Sequence, residues 1–296
     1  MSKPSHIPVL AKEALEFLAP QPDDILVDAT VGLGGHARIL AEKLGPNGRL
    51  IGIDQDEQTL QIANDNLKSF NDRVVLVHGN FRHLRELVEN AGYRRVDGIL
   101  FDLGFSSFQI DEPTRGFSFL HDAPLDMRMD TTSGGTTAAE LVNRASYNEL
   151  VRILAEYGEE PKAEAITKRI LEARRRAPIA TTMDLVRVVG GHQGKIHPAT
   201  RVFQALRIAV NDELQALREA LPQAIELLKP QGRLVVITFH SLEDRIVKNF
   251  FKNEATGGRT RPLTKKALPP SWEERRSNSR SRSAKLRAVE RLATRE

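Results

Sequence analysis

The stretch Asp28-Ala-Thr-Val-Gly32-Leu-Gly34-Gly35-His36 decides the fold of this chain. It follows a short apolar run and precedes a helical pattern, so it predicts a strand, a tight glycine-rich turn and the start of a helix. Glycines are needed where the chain turns sharply and a ligand must approach the backbone closely. Such a turn is typical of open α/β folds that bind a nucleoside cofactor.

Apolar runs of strand length recur on both sides of this turn. Four of them predict buried parallel strands, at residues 25–29, 50–54, 74–78 and 98–102. Helical patterns separate these runs, and a fifth strand is predicted much later, at residues 233–239. A final pair of strands is predicted at residues 264–268 and 285–291. The order indicates an α/β, Rossmann-like sheet that is mostly parallel, has a C-terminal antiparallel strand and carries helices on both faces.

The alternation of strands and helices stops between the fourth and fifth predicted strands. Residues 104–130 are rich in Gly, Pro, Ser and Asp and predict a long functional loop, whereas residues 137–189 are largely helical. We therefore expect residues 1–112 and 207–296 to form the cofactor-binding domain. Residues 113–206 would be an inserted loop and all-helical subdomain that recognises the substrate.

Two carboxylates end predicted strands at the edge where open α/β sheets bind their ligands. Asp54 ends the second strand and could accept hydrogen bonds from both hydroxyls of a ribose, and Asp102 ends the fourth. The glycine-rich turn also fits the dinucleotide pattern G-x-G-x-x-G/A through Gly32, Gly34 and Ala37. On the turn alone, S-adenosylmethionine and a nicotinamide dinucleotide both remain open.

Three features favour S-adenosylmethionine and a class I methyltransferase sheet. The Gly34-Gly35 doublet with the preceding Asp28 suits a ligand that has an amino-acid end. The segment His78-Gly-Asn-Phe81 follows the third strand, where an adenine-contacting residue is expected. The third feature is residues 228–234, Leu-Lys-Pro-Gln-Gly-Arg-Leu, which are similar to a turn that commonly precedes the fifth strand in methyltransferases.

The composition excludes several classes of site and suggests a partner. The absence of cysteine excludes disulfides, thiolate zinc sites and a cysteine nucleophile, and no metal is expected. No run is long and apolar enough to span a bilayer and residues 1–6 contain no signal-peptide core, so we expect no membrane association and a cytoplasmic location. From Arg259 onward, twelve Lys and Arg residues stand against four Glu residues. This segment suits RNA phosphates, although a solvated tail is an equal alternative.

Several longer motifs carry a specific resemblance that extends from His6 to about Phe251. They resemble the bacterial small-subunit ribosomal RNA cytosine N4-methyltransferases, the RsmH or MraW family. The motifs are Gly32-Leu-Gly-Gly-His36, Asp102-Leu-Gly-Phe-Ser-Ser-Phe-Gln109, Arg115-Gly-Phe-Ser-Phe119, Pro124-Leu-Asp-Met-Arg-Met-Asp130, Tyr157-Gly-Glu-Glu160, His197-Pro-Ala-Thr-Arg-Val-Phe-Gln-Ala-Leu-Arg207 and Phe239-His-Ser-Leu-Glu-Asp-Arg245. Leu33, Phe105 and Phe108 depart from the expected pattern beside the site, without removing any expected ligand.

The resemblance implies S-adenosylmethionine as cofactor and N4-methylation of a specific cytidine in 16S rRNA within the small ribosomal subunit. The cofactor-binding residues that it implies are Gly34, Gly35, His36, Asp54, Phe81, Asp102 and Gln109. The base would have to be flipped into the site. Whether the protein forms a homodimer is left open.

The acid that faces the cytosine amine is predicted to be Asp102 or Asp126, with Asp130 a further candidate. Loop capping, or pairing with Arg128, is an equal alternative for Asp126 and Asp130. Arg128, Arg201 and His240 are candidates for substrate binding. Ser241, with an acid three residues on, predicts a helix N-cap.

Two other functions remain open at this point. A nicotinamide-dependent oxidoreductase would bind NAD(H) and not S-adenosylmethionine. A non-catalytic RNA-binding assembly factor would keep the fold and bind RNA without methyl transfer.

Overall fold

The computed structural model describes residues 8–191 and 197–293, and the chain divides into two compact units. One unit comprises Met1–Gly104 and Leu214–Glu296, and the other comprises Phe105–Glu213. The sequence placed these borders at residues 112/113 and 206/207. His6, which begins the family resemblance, lies outside the described residues. Among the described residues, no helix combines the length and the apolar character that a membrane span needs.

The first unit is built on a twisted sheet with the spatial order β3-β2-β1-β4-β5-β7-β6. The strands are β1 Ile25–Asp28, β2 Arg49–Asp54, β3 Val74–His78, β4 Val96–Asp102, β5 Leu228–Thr238, β6 Thr260–Pro262 and β7 Lys285–Arg291. Strands β1 to β5 pair in parallel, and β7 runs antiparallel to both β5 and β6. The predicted mixed sheet with a C-terminal antiparallel strand is confirmed.

Helices cover both faces of this sheet because its central strands are apolar on both sides. In β4, Ile99 and Phe101 belong to one core cluster and Leu100 belongs to the other. In β5, Val236 and Val235 are divided between the two clusters in the same way. The helices, numbered in chain order along the whole protein, are α1 Ala11–Leu18, α2 Gly35–Ala41, α3 Glu57–Asn66, α4 Leu84–Asn90, α11 Glu213–Leu227, α12 Ser241–Thr256 and α13 Trp272–Ser277.

Two strand predictions are wrong in part. Strand β3 forms, but it lies at the edge of the sheet, and Val75 is 41% exposed rather than buried. The predicted strand at residues 264–268 does not form; β6 lies earlier, and Leu268 makes only an isolated bridge to Leu286. The reason is local, because the Thr264 hydroxyl accepts a hydrogen bond from the Ala288 amide and so replaces a backbone partner.

The second unit is helical around its own apolar core. Its helices are α5 Ser107–Asp111, α6 Ala138–Arg144, α7 Tyr147–Glu156, α8 Ala163–Arg176, α9 Thr182–Val189 and α10 Pro198–Asn211. The loop before α6 contributes Leu125 and Met127 to this core. Arg115 is also buried there, where its guanidinium donates to the carbonyls of Arg128 and Met129 at 3.0 and 2.9 Å. The loop is therefore folded onto the helices rather than extended into solvent.

Gly116 in this loop gives a test of that packing. Its φ is +71°, and a Cβ at this position would lie 2.3 Å from the Pro124 carbonyl oxygen. Gly134 also has a positive φ, +82°, but a Cβ there would meet nothing within 4 Å. Both Gly→Ala variants share a left-handed strain of about 1 kcal/mol, so Gly116→Ala should lower the free energy of unfolding by roughly 2 kcal/mol more than Gly134→Ala. Denaturant unfolding measures both, and equal losses would contradict the packing of this loop.

Candidate active site

The glycine-rich turn joins β1 to α2 and is held by the neighbouring strands. The Val31 amide donates to the Ile53 carbonyl at 2.8 Å, and the Thr30 hydroxyl accepts from the Asp102 amide at 2.7 Å. Gly34 caps α2 with φ +86°, and a Cβ there would lie 3.1 Å from the Leu67 side chain. A side chain at this position would be both strained and crowded, so the turn presents bare backbone at the carboxyl edge of the sheet.

Asp54 ends β2 directly beside this turn. Its Oδ2 atom accepts from the Gly32 amide and its Oδ1 atom from the Asp56 amide, both at 2.9 Å. Burial raises the pKa of Asp54 to about 6, although these two amides act in the opposite direction. Because a carboxylate oxygen accepts more than one hydrogen bond, Asp54 is held in place and can still accept from hydroxyl groups of a ligand.

A buried cluster of opposite charges lies at the ends of β1 and β4. The His36 Nε2 atom lies 3.4 Å from Asp102 Oδ2, and Asp28 Oδ1 accepts from the Thr30 amide at 3.2 Å. Asp28 is 1% exposed and His36 is 6% exposed. Among the described residues, Asp28 Oδ2 and Asp102 Oδ1 are buried atoms that no hydrogen bond satisfies. Buried polar groups of this kind normally have partners, so they indicate the place of a ligand.

The two groups of this cluster with altered pKa values influence each other. Burial raises the pKa of Asp28 to about 7, and the charge of His36 opposes that rise. Burial by itself would lower the pKa of His36, but the hydrogen bonding and charge of Asp102, together with the charge of Asp28, outweigh it and raise the pKa. A protonated His36 therefore offsets part of the negative charge at this edge.

Asp28 was not among the ligands predicted from the sequence, where it served only as the acid before the glycine-rich turn. The missed signal was its position, because Asp28 ends β1 as Asp54 ends β2 and Asp102 ends β4. In the sheet, Asp28 pairs with Gly52 on one side and with Leu100 on the other. All three carboxylates therefore stand at one edge of the sheet.

Phe81 follows β3 and His240 follows β5 of the same sheet. The Phe81 ring packs edge to face on Phe101, with 5.6 Å between ring centroids, which fixes one side of it in the core. His240 caps α12, so the cap predicted at Ser241 is wrong by one residue. The imidazole replaces the usual hydroxyl because its unprotonated nitrogen also accepts a hydrogen bond. His240 Nε2 lies 3.1 Å from the buried Glu243 carboxylate, which also accepts from the Phe239 amide at 2.8 Å.

Five of the predicted site residues, Asp130 among them, belong to the second unit. Gln109 is 4% exposed, and its side-chain oxygen accepts from the Ser106 amide at 2.9 Å. Asp126 accepts from Arg128 through both oxygens at 2.8 Å. Arg201 Nη1 lies 3.9 Å from Glu160 Oε2.

The environment of Asp126 and Asp130 matches the pairing and capping that the sequence left open. Burial would raise the pKa of Asp126, but the hydrogen bonds and charge of Arg128 outweigh it and lower the pKa. Asp130 accepts from the amides of Thr132 and Ser133 at 2.7 and 3.2 Å. Both carboxylates thus have hydrogen-bond partners within their own loop. The catalytic role of Asp126 stays a prediction.

Comparison with known proteins identifies the family. A family model described as the MraW methylase family matches residues 3–292. The chain belongs to the MraW methylase family. Its curated relatives include a ribosomal RNA small subunit methyltransferase H from Syntrophotalea carbinolica, 50% identical, with 97% of this chain and 98% of the relative covered. A relative of the same description from Thermomicrobium roseum is also 50% identical, with 98% and 94% covered.

A solved structure supports the fold of this methylase. The crystal structure of a suggested rRNA methylase from Clostridium thermocellum matches with a TM-score of 0.50 and 14% identity, covering 97% of this chain and all of that one. At that identity the likeness shows the fold alone. Family membership confirms the methyltransferase and the S-adenosylmethionine cofactor that the sequence predicted.

The buried cluster fits this cofactor on its own chemistry. S-adenosylmethionine carries a cationic sulfonium, an ammonium group and a ribose with two hydroxyls. The site offers Asp28 Oδ2 and Asp102 Oδ1 without hydrogen-bond partners among the described residues, and Asp54 fixed beside the bare turn. Carboxylates stabilise the cations and accept from the hydroxyls, so the residues present suit the ligand.

The raised pKa of Asp28 predicts how stability depends on pH. In cofactor-free protein the folded state keeps a proton on Asp28 between pH 3.8, its ordinary value, and about pH 7, so the stability of the wild type falls as pH rises through this window. Asp28→Asn removes this dependence. The gain in unfolding free energy of Asp28→Asn over the wild type should therefore grow up to about pH 7 and then level off.

Denaturant unfolding over a series of pH values measures that gain. Asp72→Asn is the matched control, because the Asp72 side chain is 69% exposed and should show no such growth. A difference between Asp28→Asn and the wild type that stays flat with pH would contradict the buried, proton-holding state of Asp28.

Proposed function

We propose that this methylase transfers the methyl group of S-adenosylmethionine to N4 of a specific cytidine in 16S rRNA of the small ribosomal subunit. The observation that carries the proposal is the Asp102 carboxylate, which ends β4 with one buried oxygen lacking a hydrogen-bond partner among the described residues. The curated relatives at 50% identity are named as small-subunit rRNA methyltransferases, which supports the substrate.

We assign the cofactor contacts to the carboxyl edge of the sheet. The backbone of Gly34 and Gly35 holds the amino-acid end of the cofactor, and Asp28, which ends β1 at the start of the same turn, holds its ammonium group. Asp54 accepts from the ribose hydroxyls. Phe81, supported from behind by Phe101, offers its free side to the adenine. His36 keeps the Asp102 carboxylate in place. Gln109 is assigned to cofactor binding because of the family resemblance.

The chemistry needs an acceptor for the protons of the cytosine amine. The lone pair of this nitrogen is delocalised into the ring, so it is a weak nucleophile until a hydrogen bond to its N–H groups helps it to rehybridise. When bound, S-adenosylmethionine supplies an electrophilic methyl group. Asp102 accepts the N–H hydrogen bond and orients the amine, and after transfer it is placed to take up the released proton.

Asp102 is preferred to Asp126 for this role because Asp126 has both oxygens on Arg128. We assign Arg128, Arg201 and His240 to substrate binding, where cationic or hydrogen-bonding side chains would meet the nucleotide and its phosphates. The reaction is placed in the cytoplasm, on an assembled or nearly assembled subunit, and a homodimer stays a prediction.

Membership of a methylase family removes the nicotinamide-dependent oxidoreductase as an alternative. The non-catalytic assembly factor differs from the proposal in a single result, since it binds RNA without methyl transfer. Incubation with labelled S-adenosylmethionine and small subunits that lack the modification should place the label in N4-methylcytidine of 16S rRNA. Nucleoside mass analysis measures this, and binding without any label in rRNA would favour the assembly factor.

Asp102→Asn tests the proposed acceptor. It keeps the size of the side chain but removes its charge, so the single-turnover rate at saturating cofactor should fall by at least about 100-fold. Asp126→Asn is the comparison, and we expect a much smaller effect because Asp126 is engaged with Arg128. Near-native turnover in Asp102→Asn would contradict the proposed role of Asp102.

A further inference from the structure

A cationic groove lies at the amino edge of the sheet, at the opposite end of the strands from the candidate active site. We name it the arginine groove. It encloses about 590 Å³ and is lined by Arg85, Glu89, Arg94, Arg95, Glu226, Leu227 and Arg291. These residues come from α4, from the segment before β4, from the end of α11 and from the end of β7, all within the first unit.

Two of the arginines have a structural task that uses only part of their hydrogen-bonding capacity. Arg95 Nη1 donates to the Glu226 carbonyl at 2.5 Å, and Arg291 Nη1 donates to the same carbonyl at 2.9 Å and also to that of Leu228. Both therefore cap the carbonyl end of α11. A guanidinium has five N–H donors, and within the described residues the other nitrogens of both side chains form no hydrogen bond, so they can donate to a ligand.

The remaining charges in the groove do not balance. Glu226 is paired with Arg85, whereas the exposed Arg94 has no hydrogen bond or ion pair within the described ranges 8–191 and 197–293. The lining holds four arginines against two glutamates. Burial and the nearby charge of Arg95 lower the pKa of Arg291, which shows that like charges are crowded here. A bound anion would relieve this repulsion.

We propose that the arginine groove binds the phosphodiester backbone of rRNA, as a second contact remote from the site of methyl transfer. The inference rests on the proposed rRNA substrate and adds a surface to it. Guanidinium groups match phosphate oxygens in charge and in the geometry of paired donors. The length of β4, Val96–Asp102, separates the groove from the active site by about 20 Å.

Arg94→Glu is the decisive variant because Arg94 lines the groove without holding the fold together. Lys12→Glu is the matched control, since Lys12 is exposed on α1, lies outside the groove and gives the same change in charge. The affinity of each protein for unmethylated small subunits is measured at a series of salt concentrations. Arg94→Glu should weaken binding and reduce the slope of log affinity against log salt by about one, and Lys12→Glu should leave the slope unchanged. The affinity for S-adenosylmethionine should be unchanged in both variants.

Four outcomes separate the possibilities. A slope that drops in Arg94→Glu alone supports the proposal, and equal slopes in the two variants overturn it. A drop seen with whole subunits but not with protein-free 16S rRNA overturns it in favour of an acidic ribosomal protein. Calorimetric binding of inorganic pyrophosphate that is lost in Arg94→Glu, with subunit binding intact, overturns it in favour of a small anion. If the wild type methylates no rRNA, the proposed function is wrong, whereas the role of the groove is still decided by the salt slopes.

Discussion

The burial of carboxylates at the ends of parallel strands is the constraint on which the site depends. Asp28 is buried and Asp102 is partly buried at the carboxyl edge, and each has a buried oxygen that no hydrogen bond satisfies within the described part of the chain. Such burial is costly unless an opposite charge is near. His36 supplies part of that charge, 3.4 Å from Asp102, and a cationic cofactor would supply the rest. The same buried negative charge would therefore favour binding of the cofactor and lower the stability of the cofactor-free protein.

The fold produces this arrangement through its packing. Two apolar clusters on opposite faces of the sheet fix β1, β2 and β4 side by side, so residues that end these strands must meet at one edge. The same packing places the strand starts at the other edge, where Arg95 and Arg291 cap α11. The two edges carry opposite charge, one acidic at the candidate active site and one basic at the arginine groove. A sheet with both faces buried can keep its polar chemistry only at its edges.

The sequence predicted most of the sheet because its strongest signals are local. Strand β7 forms at the predicted residues, and Asp54 and Asp102 end their strands as expected. Strand β3 looked buried because Val and Leu are typical of interior and edge strands alike, and only the strand order distinguishes them. The sequence did not identify Asp28 as a ligand, and it placed the cap of α12 one residue too late, for a related reason. Both depend on neighbours across the sheet or on side-chain geometry that a linear pattern does not contain.

A nitrogen NMR titration of the His36 imidazole, with and without S-adenosylmethionine, measures how strongly the carboxylates at this edge depend on a positive charge. In cofactor-free protein the ring should titrate above its ordinary pKa of about 6.5, because Asp102 and Asp28 carry negative charge beside it. Cofactor binding should then lower this pKa, since the ligand's positive charge shares the same carboxylates. A His36 pKa that is the same with and without the cofactor would show that the cofactor does not share these carboxylates with His36.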